Sequence, residues 1–253
     1  MRHKLLLFLV LCIVCGVGFV VWKNDSVESP GHDGSQQAIP KTTKPPEFDK
    51  TQYSRSDPAS IWVVVNKQHP LAPKDYVPVD LVYPKVALRV PGNESMQLRQ
   101  AAATELENMF TAAAADGISM MLSSGYRSYT YQVNLYNGYV QTQGQATADT
   151  QSARPGFSEH QTGLAADVEP ADKTCELQAC FEDTPAGKWV SAHAYEFGFI
   201  VRYLDGKQDV TGYDPEPWHI RFIGLDLAKE MHRADVTTLE EFFNITGGKV
   251  YNQ

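Results

Sequence analysis

Leu5 to Trp22 reads LLLFLVLCIVCGVGFVVW, 18 residues without a charge, preceded by Arg2, His3 and Lys4. At about 1.5 Å per helical residue this run reaches roughly 27 Å, near the hydrocarbon thickness of a bilayer. Residues 1–22 are therefore expected to form a retained membrane anchor, and the basic residues ahead of the run put everything after Trp22 outside the cell. A cleaved secretory signal is the alternative, but the run is long for such a segment and no A-x-A-like site follows it. A lipoprotein signal is disfavoured because Leu11 and Val14, ahead of Cys12 and Cys15, are larger than the small residue that processing needs. The expected location is the cell membrane, single-pass, with the remainder of the chain extracellular.

Residues 23–57 (KNDSVESPGHDGSQQAIPKTTKPPEFDKTQYSRSD) are rich in Pro, Ser, Gln and charge and short of large apolar residues. Such a composition does not build a core and reads as an extended, disordered tether. The folded domain is then expected over 58–253. A net charge of −8 leaves no basic footprint for nucleic acid.

Within the domain the pattern is that of an α+β fold. Strands are predicted at 61–65 (IWVVV), 118–124 (ISMMLSS), 164–168 (LAADV), 199–204 (FIVRYL) and 218–223 (WHIRFI). Helices are predicted over 95–115, where Leu98, Leu106, Met109, Phe110 and Ala113 form one stripe, and from Tyr129 to Gln143. Thr184 and Pro185 supply an N-cap and a first-turn proline for another helix, which Gly198 ends.

Cys175 and Cys180 stand in a polar insertion outside the cell, where thiols oxidise. A disulfide closing this small loop would contribute about 2 kcal/mol on a chain-entropy estimate. A Cys-x4-Cys metal pair is the weaker reading, since no second Cys or His pair lies near it to complete a site. Cys12 and Cys15 are read as apolar fillers of the anchor.

His160 and His219 have unusual surroundings. In FSEHQTGLAADVE (157–169), His160 precedes Gly163, which permits a tight turn into the strand that carries Asp167. A carboxylate inside an apolar strand needs a partner, because burying it unpaired is too costly. In GYDPEPWHIRF (212–222), Pro215 and Pro217 fix the backbone around Glu216, and His219 shares a strand face with Arg221. His160, Asp167 and His219 would make two imidazoles and one carboxylate with a position open for water, the set expected of catalytic zinc. Glu216, three residues before His219, is the natural base for that water. The competing reading is that each histidine is an ordinary satisfied residue.

The run SEHQTGLAAD (158–167) resembles the S-x-H-x-x-G-x-A-x-D signature of zinc D-alanyl-D-alanine carboxypeptidases of the vancomycin-resistance, VanY-like type. EPWH (216–219) is similar to that family's second signature. SGYRS (124–128), EFGFIVRY (196–203), TGY (211–213) and VNKQHPLAPKDYVPVDLV (65–82) look like the family in the same order. The resemblance implies a small antiparallel sheet with flanking helices carrying a zinc site, the LAS-type metallopeptidase fold. It implies that His160, Asp167 and His219 bind Zn2+, that Glu216 is the catalytic base and that Arg127 contacts substrate.

The planar fork of Arg127 suits a substrate's terminal carboxylate, and Ser158 and Gln132 are candidates for further hydrogen bonds to it. The expected activity is removal of the C-terminal D-alanine from peptidoglycan stem peptides by a D,D-carboxypeptidase. An L,D-carboxypeptidase acting on tetrapeptide stems would use the same ligands and base. A cross-link endopeptidase fits the carboxylate clamp less well. A non-catalytic zinc-containing cell-wall binding module has no use for Glu216. Arg202 is expected to pair with an acid of the fold, and His193 to be structural.

Overall fold

The computed structural model describes residues 47–252. The anchor read at residues 1–22 and the tether residues 23–46 lie outside the described residues. Among the described residues no helix is long and apolar enough to cross a membrane.

Two short strands, β1 (Leu81–Val82) and β2 (Leu98–Arg99), pair antiparallel ahead of α1 (Gln100–Ala115). Then follow β3 (Met120–Ser124), α2 (Tyr129–Gln143), α3 (Gln145–Gln151), β4 (Ala165–Pro170) and α4 (Pro185–His193). β5 (Phe199–Tyr203), α5 (Gln208–Thr211), β6 (Glu216–Phe222), α6 (Leu225–Arg233) and α7 (Leu239–Phe243) complete the order. The larger sheet runs β3-β4-β6-β5 with every neighbouring pair antiparallel. This is the expected α+β class with a small antiparallel sheet and flanking helices.

Strand alternation divides that sheet into two chemically opposite faces. Ala166, Val168, Ile220, Phe222 and Phe199 join a core with Leu106, Met109 and Phe110 of α1 and Trp189 and Val190 of α4. The alternate positions Asp167, Glu169, His219, Arg221 and Arg202 are charged or titratable, yet all are buried. Register brings them together, because Asp167 stands opposite His219 on one side and Ser124 on the other. A second core gathers Trp62, Val64, Ile200, Ile223, Leu227, Met231 and the aromatic pair Phe242 and Phe243.

Three sequence expectations change. Residues 61–65 are not a strand. They keep the alternation of one, with Val63 and Val65 in the first core and Trp62 and Val64 in the second. Their carbonyls are met by a side chain instead of a ladder: Arg221 donates to Ile61 O at 3.1 Å and Val63 O at 2.8 Å.

The helix predicted from residue 95 starts at Gln100, since Glu94–Met96 form a 3-10 turn and Leu98 lies in β2. Leu98 is fully buried all the same, so its apolar character reported burial correctly and conformation wrongly. The stretch 47–57, placed in the tether by its composition, packs on the domain. Phe48 lies 5.7 Å from the Trp62 ring centroid, and Lys50 Nζ donates to Phe242 O at 2.7 Å. A few aromatic residues anchor this polar segment, which an average composition does not register.

The 3-10 turn Glu159–Thr162 delivers His160, and Gly163 closes it at φ +66. A Cβ there would stand 2.9 Å from both Arg99 Cγ and Leu81 Cδ2. Gly163→Ala is therefore expected to cost about 1–3 kcal/mol of stability, from strain at this φ and from the crowding. Urea denaturation checks this, and an unchanged midpoint would contradict it.

Candidate metal centre and active-site cleft

His160, Asp167 and His219 each offer one buried ligand atom, and these atoms all lie within 4.8 Å of one another. His160 Nδ1 donates to Gly125 O at 2.6 Å, which leaves Nε2 facing Asp167 Oδ1 at 3.4 Å. His219 Nδ1 lies 3.2 Å from that same oxygen. Asp167 Oδ1 is buried and has no hydrogen-bond partner among the described residues. Tetrahedral zinc with bonds of about 2.0–2.2 Å holds its ligand atoms roughly 3.4 Å apart, so these spacings and the orphaned oxygen fit a bound divalent cation.

The electrostatics follow from burial and neighbours. Burial opposes a charge on Asp167, but His160 and Arg127 outweigh it and hold the carboxyl well below its usual range. Burial, then Arg127, push His160 down to about 4. Burial acts the same way on His219, yet its contacts with Asp167 and Glu159 raise it to about 9. Without a cation, the proton of the pair therefore resides on His219.

Beneath His219 lies a further carboxylate, Glu159, which no motif spacing marks. Glu159 Oε1 accepts from Arg202 Nε at 2.8 Å and from Arg221 Nη1 at 2.9 Å, while its Oε2 faces His219 Nε2 at 3.5 Å. Arg202 also donates to both oxygens of Glu240 at 2.9 and 2.7 Å. All four charged residues are buried, and two cations balance two anions. Burial disfavours the Glu159 charge, but Arg202 and Arg221 more than compensate and keep it ionised. A carboxylate behind a metal-ligating imidazole fixes the ring's orientation and raises its basicity. Spacing gave no signal for Glu159, because its partners lie far along the chain; only its position beside His160 hinted at a role.

Glu216 opens β6, its Oε2 3.5 Å from His219 Nδ1, and its side chain keeps 22 % exposure toward the cleft. Burial pushes its carboxyl up to about 7, with His219 acting against that rise. A cation at the three ligands would draw it down again. The cleft has a volume of about 770 Å³, and Arg127, Gln132, Ser158 and Trp218 line it together with the metal set and Glu216.

Arg127 sits in this cleft already engaged. Nε donates to Ser124 Oγ at 3.0 Å and Nη2 to Asp167 Oδ2 at 2.6 Å. The edge shared by Nε and Nη2 is therefore spent on the protein, and the Nη1 end is what remains for a carboxylate, a narrower clamp than a wholly free fork. Ser158 is buried and makes no capping bond, so its hydroxyl is free to meet a ligand.

Gln132 differs from the expectation. Its Nε2 is used by Ser152 Oγ at 3.1 Å and Ala153 O at 2.7 Å, and its buried Oε1 is without a partner. An unpaired acceptor suits a substrate N–H and repels a carboxylate, so Gln132 is not a carboxylate donor in this arrangement. The His193 ring lies tilted against Trp189, 4.8 Å between centroids, and contacts Glu196 at the surface, away from the cleft.

Two outcomes follow. Glu159→Gln keeps the side chain's volume but removes the anionic acceptor behind His219 and a counter-charge of Arg202 and Arg221, so stability should fall, and in the folded variant zinc affinity should fall about 10–100-fold in a competitive chelator titration. In the metal-free protein His219 is protonated below about pH 9, and a ligating imidazole must be neutral. Zinc binding should therefore release a proton below that pH, with affinity falling about tenfold per unit as the medium is acidified. Calorimetry in buffers of different ionisation enthalpy measures this, and zero proton release near neutrality would refute it.

Comparison with known proteins agrees with this geometry. The family described as VanY, D-alanyl-D-alanine carboxypeptidase, matches residues 95–225. YodJ of Bacillus subtilis, named as a carboxypeptidase, is 42% identical over 188 residues, which are 74% of this chain and 68% of the relative. The solved structure of the LdcB LD-carboxypeptidase is similar with a TM-score of 0.70 at 42% identity, over 75% of this chain and 88% of that one. A D,D-pentapeptidase VanY variant from a VanB-type resistance cassette, solved with Zn(II), is similar with a TM-score of 0.59 at 30% identity, over 72% of this chain and 98% of that one. With the motifs, the fold and the buried His/Asp/His set in agreement, this chain belongs to the VanY family of D-alanyl-D-alanine carboxypeptidases.

Proposed function

We propose that this protein is a zinc-dependent carboxypeptidase that removes the C-terminal D-alanine from peptidoglycan stem peptides, with tetrapeptide stems, and hence the L,D bond, as its preferred substrate. The observation that carries the hydrolytic reading is Glu216 beside the His160, Asp167 and His219 set, in a cleft that also presents the free end of Arg127. The bond preference is supported by the likeness to the LD-carboxypeptidase, at 42% identity against 30% for the D,D-pentapeptidase. The D,D reading retains the support of the family's description.

His160, Asp167 and His219 would hold the zinc. Bound there, zinc supplies a Lewis acid for the scissile carbonyl and lowers the pKa of water. Glu216 accepts the proton of the attacking water and returns it to the departing D-alanine amine. Its place at the start of β6, beside His219 and facing the cleft, suits both tasks, and zinc at the three ligands would keep it ionised and ready to take the proton. Arg127, held by Asp167 and Ser124, offers its Nη1 end to the terminal carboxylate, and Ser158 adds a hydroxyl. Gln132 Oε1 accepts from a substrate N–H. A binding module without turnover would gain nothing from a carboxyl set at this place beside the ligands.

We also propose that Leu5–Trp22 holds the enzyme at the cell membrane with the domain outside, supported by the uncharged run and the basic residues before it. Retention in membranes after alkaline extraction is expected, and a soluble product beginning after Trp22 would mean a cleaved signal.

Glu216→Ala should keep its zinc while kcat falls by roughly 10²–10⁴-fold. Mass spectrometry of stem peptides incubated with the soluble domain should show tetrapeptide converted to tripeptide faster than pentapeptide to tetrapeptide. If pentapeptide is trimmed and tetrapeptide persists, the D,D reading replaces this one.

A further inference from the structure

The cleft is larger than a single terminal D-alanine requires. At about 770 Å³ it lies within the range of clefts that enclose a whole drug-sized ligand. Part of its lining comes from Leu177, Gln178 and Ala179, three of the four residues between Cys175 and Cys180. Hydrolysis as described above uses none of them.

This loop holds an unfavourable shape. Lys173, Cys175 and Leu177 have φ values of 62°, 56° and 47°, the left-handed region that side chains of this kind rarely occupy. Such residues persist only where their surroundings over-determine them. Three restraints are present. The Cys175–Cys180 bridge closes the loop with its Cα atoms 5.5 Å apart. Cys175 packs against the main core. Arg89 reaches from the cleft wall to Glu176 of the loop, and its Nη1 also meets Ser123 Oγ at 2.9 Å and the buried Glu169 of β4 at 3.3 Å. Beyond the roughly 2 kcal/mol it contributes by chain entropy, a bridge across so few residues restrains the local shape of the loop.

We propose that the Cys175–Cys180 loop is a specificity-determining wall of the cleft, which holds Leu177 and Gln178 against the part of the stem peptide that precedes the scissile bond. Leu177 offers apolar contact to that segment, and the exposed amide of Gln178 offers both a donor and an acceptor to its backbone. The disulfide fixes this wall in advance, so the loop is not ordered at the expense of binding. The assignment rests on the carboxypeptidase reading for the identity of the peptide.

The test compares a full stem peptide with a blocked dipeptide that contains only the scissile bond. For the Cys175→Ser/Cys180→Ser double variant, and separately for Leu177→Ala, the ratio of kcat/KM for the long substrate to that for the short one should fall roughly tenfold, equivalent to about 1.4 kcal/mol of lost binding. Most of the change should be in KM. Leu177→Ala keeps the bridge and covers the case in which the double variant does not fold. A ratio unchanged in Leu177→Ala overturns the proposal, as does an equal loss on both substrates. If the parent protein hydrolyses neither peptide, the carboxypeptidase reading is what has failed. Calorimetric binding of the uncleaved stem peptide to parent and Leu177→Ala then decides the loop's role, with weaker binding by the variant expected and equal binding overturning it.

Discussion

The clasp of Glu159 by Arg202 and Arg221 is the interaction on which the rest depends. It sits under the sheet where no water reaches, and each member would be prohibitively costly if left alone. Arg202 comes from β5 and Arg221 from β6, while Glu159 belongs to the turn that delivers His160. One carboxylate thus ties two strands to the turn carrying one candidate ligand and backs the imidazole of another. Arg221 extends the tie to the carbonyls of Ile61 and Val63, and Glu240 extends it to α7 through Arg202 and to Asn66. The two cores meet around this polar network, so packing and site geometry are not separable here.

The second constraint is strand alternation. A sheet with one face committed to apolar packing turns every other residue the opposite way. In β4 and β6 those residues are Asp167 and His219, and antiparallel register sets them side by side. Arg127 then neutralises Asp167 from the cleft side while the Glu159 network supports His219 from below. Asp167 Oδ1 faces two imidazoles and has no hydrogen-bond partner among the described residues, an arrangement that a divalent cation would complete.

Much of this was legible in the chain. His160, Gly163 and Asp167 lie within one short run, so a tight turn followed by a strand suffices to relate them, and Glu216 and His219 share a strand. The helix from Tyr129 and the cap at Thr184 were likewise readable, because each depends on local chemistry, whereas the helix expected to run to Gly198 ends at His193 and Gly198 closes the 3-10 turn Ala194–Phe197 that follows it. Residues 61–65 misled because alternation reports burial on two sides, not pairing, and the groups that satisfy their carbonyls lie on Arg221. Phe48 was hidden in a polar average. Gln132 lines the cleft, but which end of its amide is free depends on Ser152 and Ala153.

By itself the sequence determined the kinds of chemistry available: two imidazoles, a carboxylate set into an apolar strand, a nearby acid for a base, and cysteines close enough to bridge. These follow from residue type and short spacing, because backbone geometry over a few residues admits few arrangements. Tertiary structure alone decided what each group does with its neighbours. It made Glu159 a support for His219 and spent one edge of Arg127 on Asp167. It also left Oε1 of Gln132 buried without a partner and brought the Cys175–Cys180 loop to the cleft. Each of these joins residues distant in the chain, and for them burial sets the cost of an unpaired charge, a quantity that exists only once the chain has closed around it.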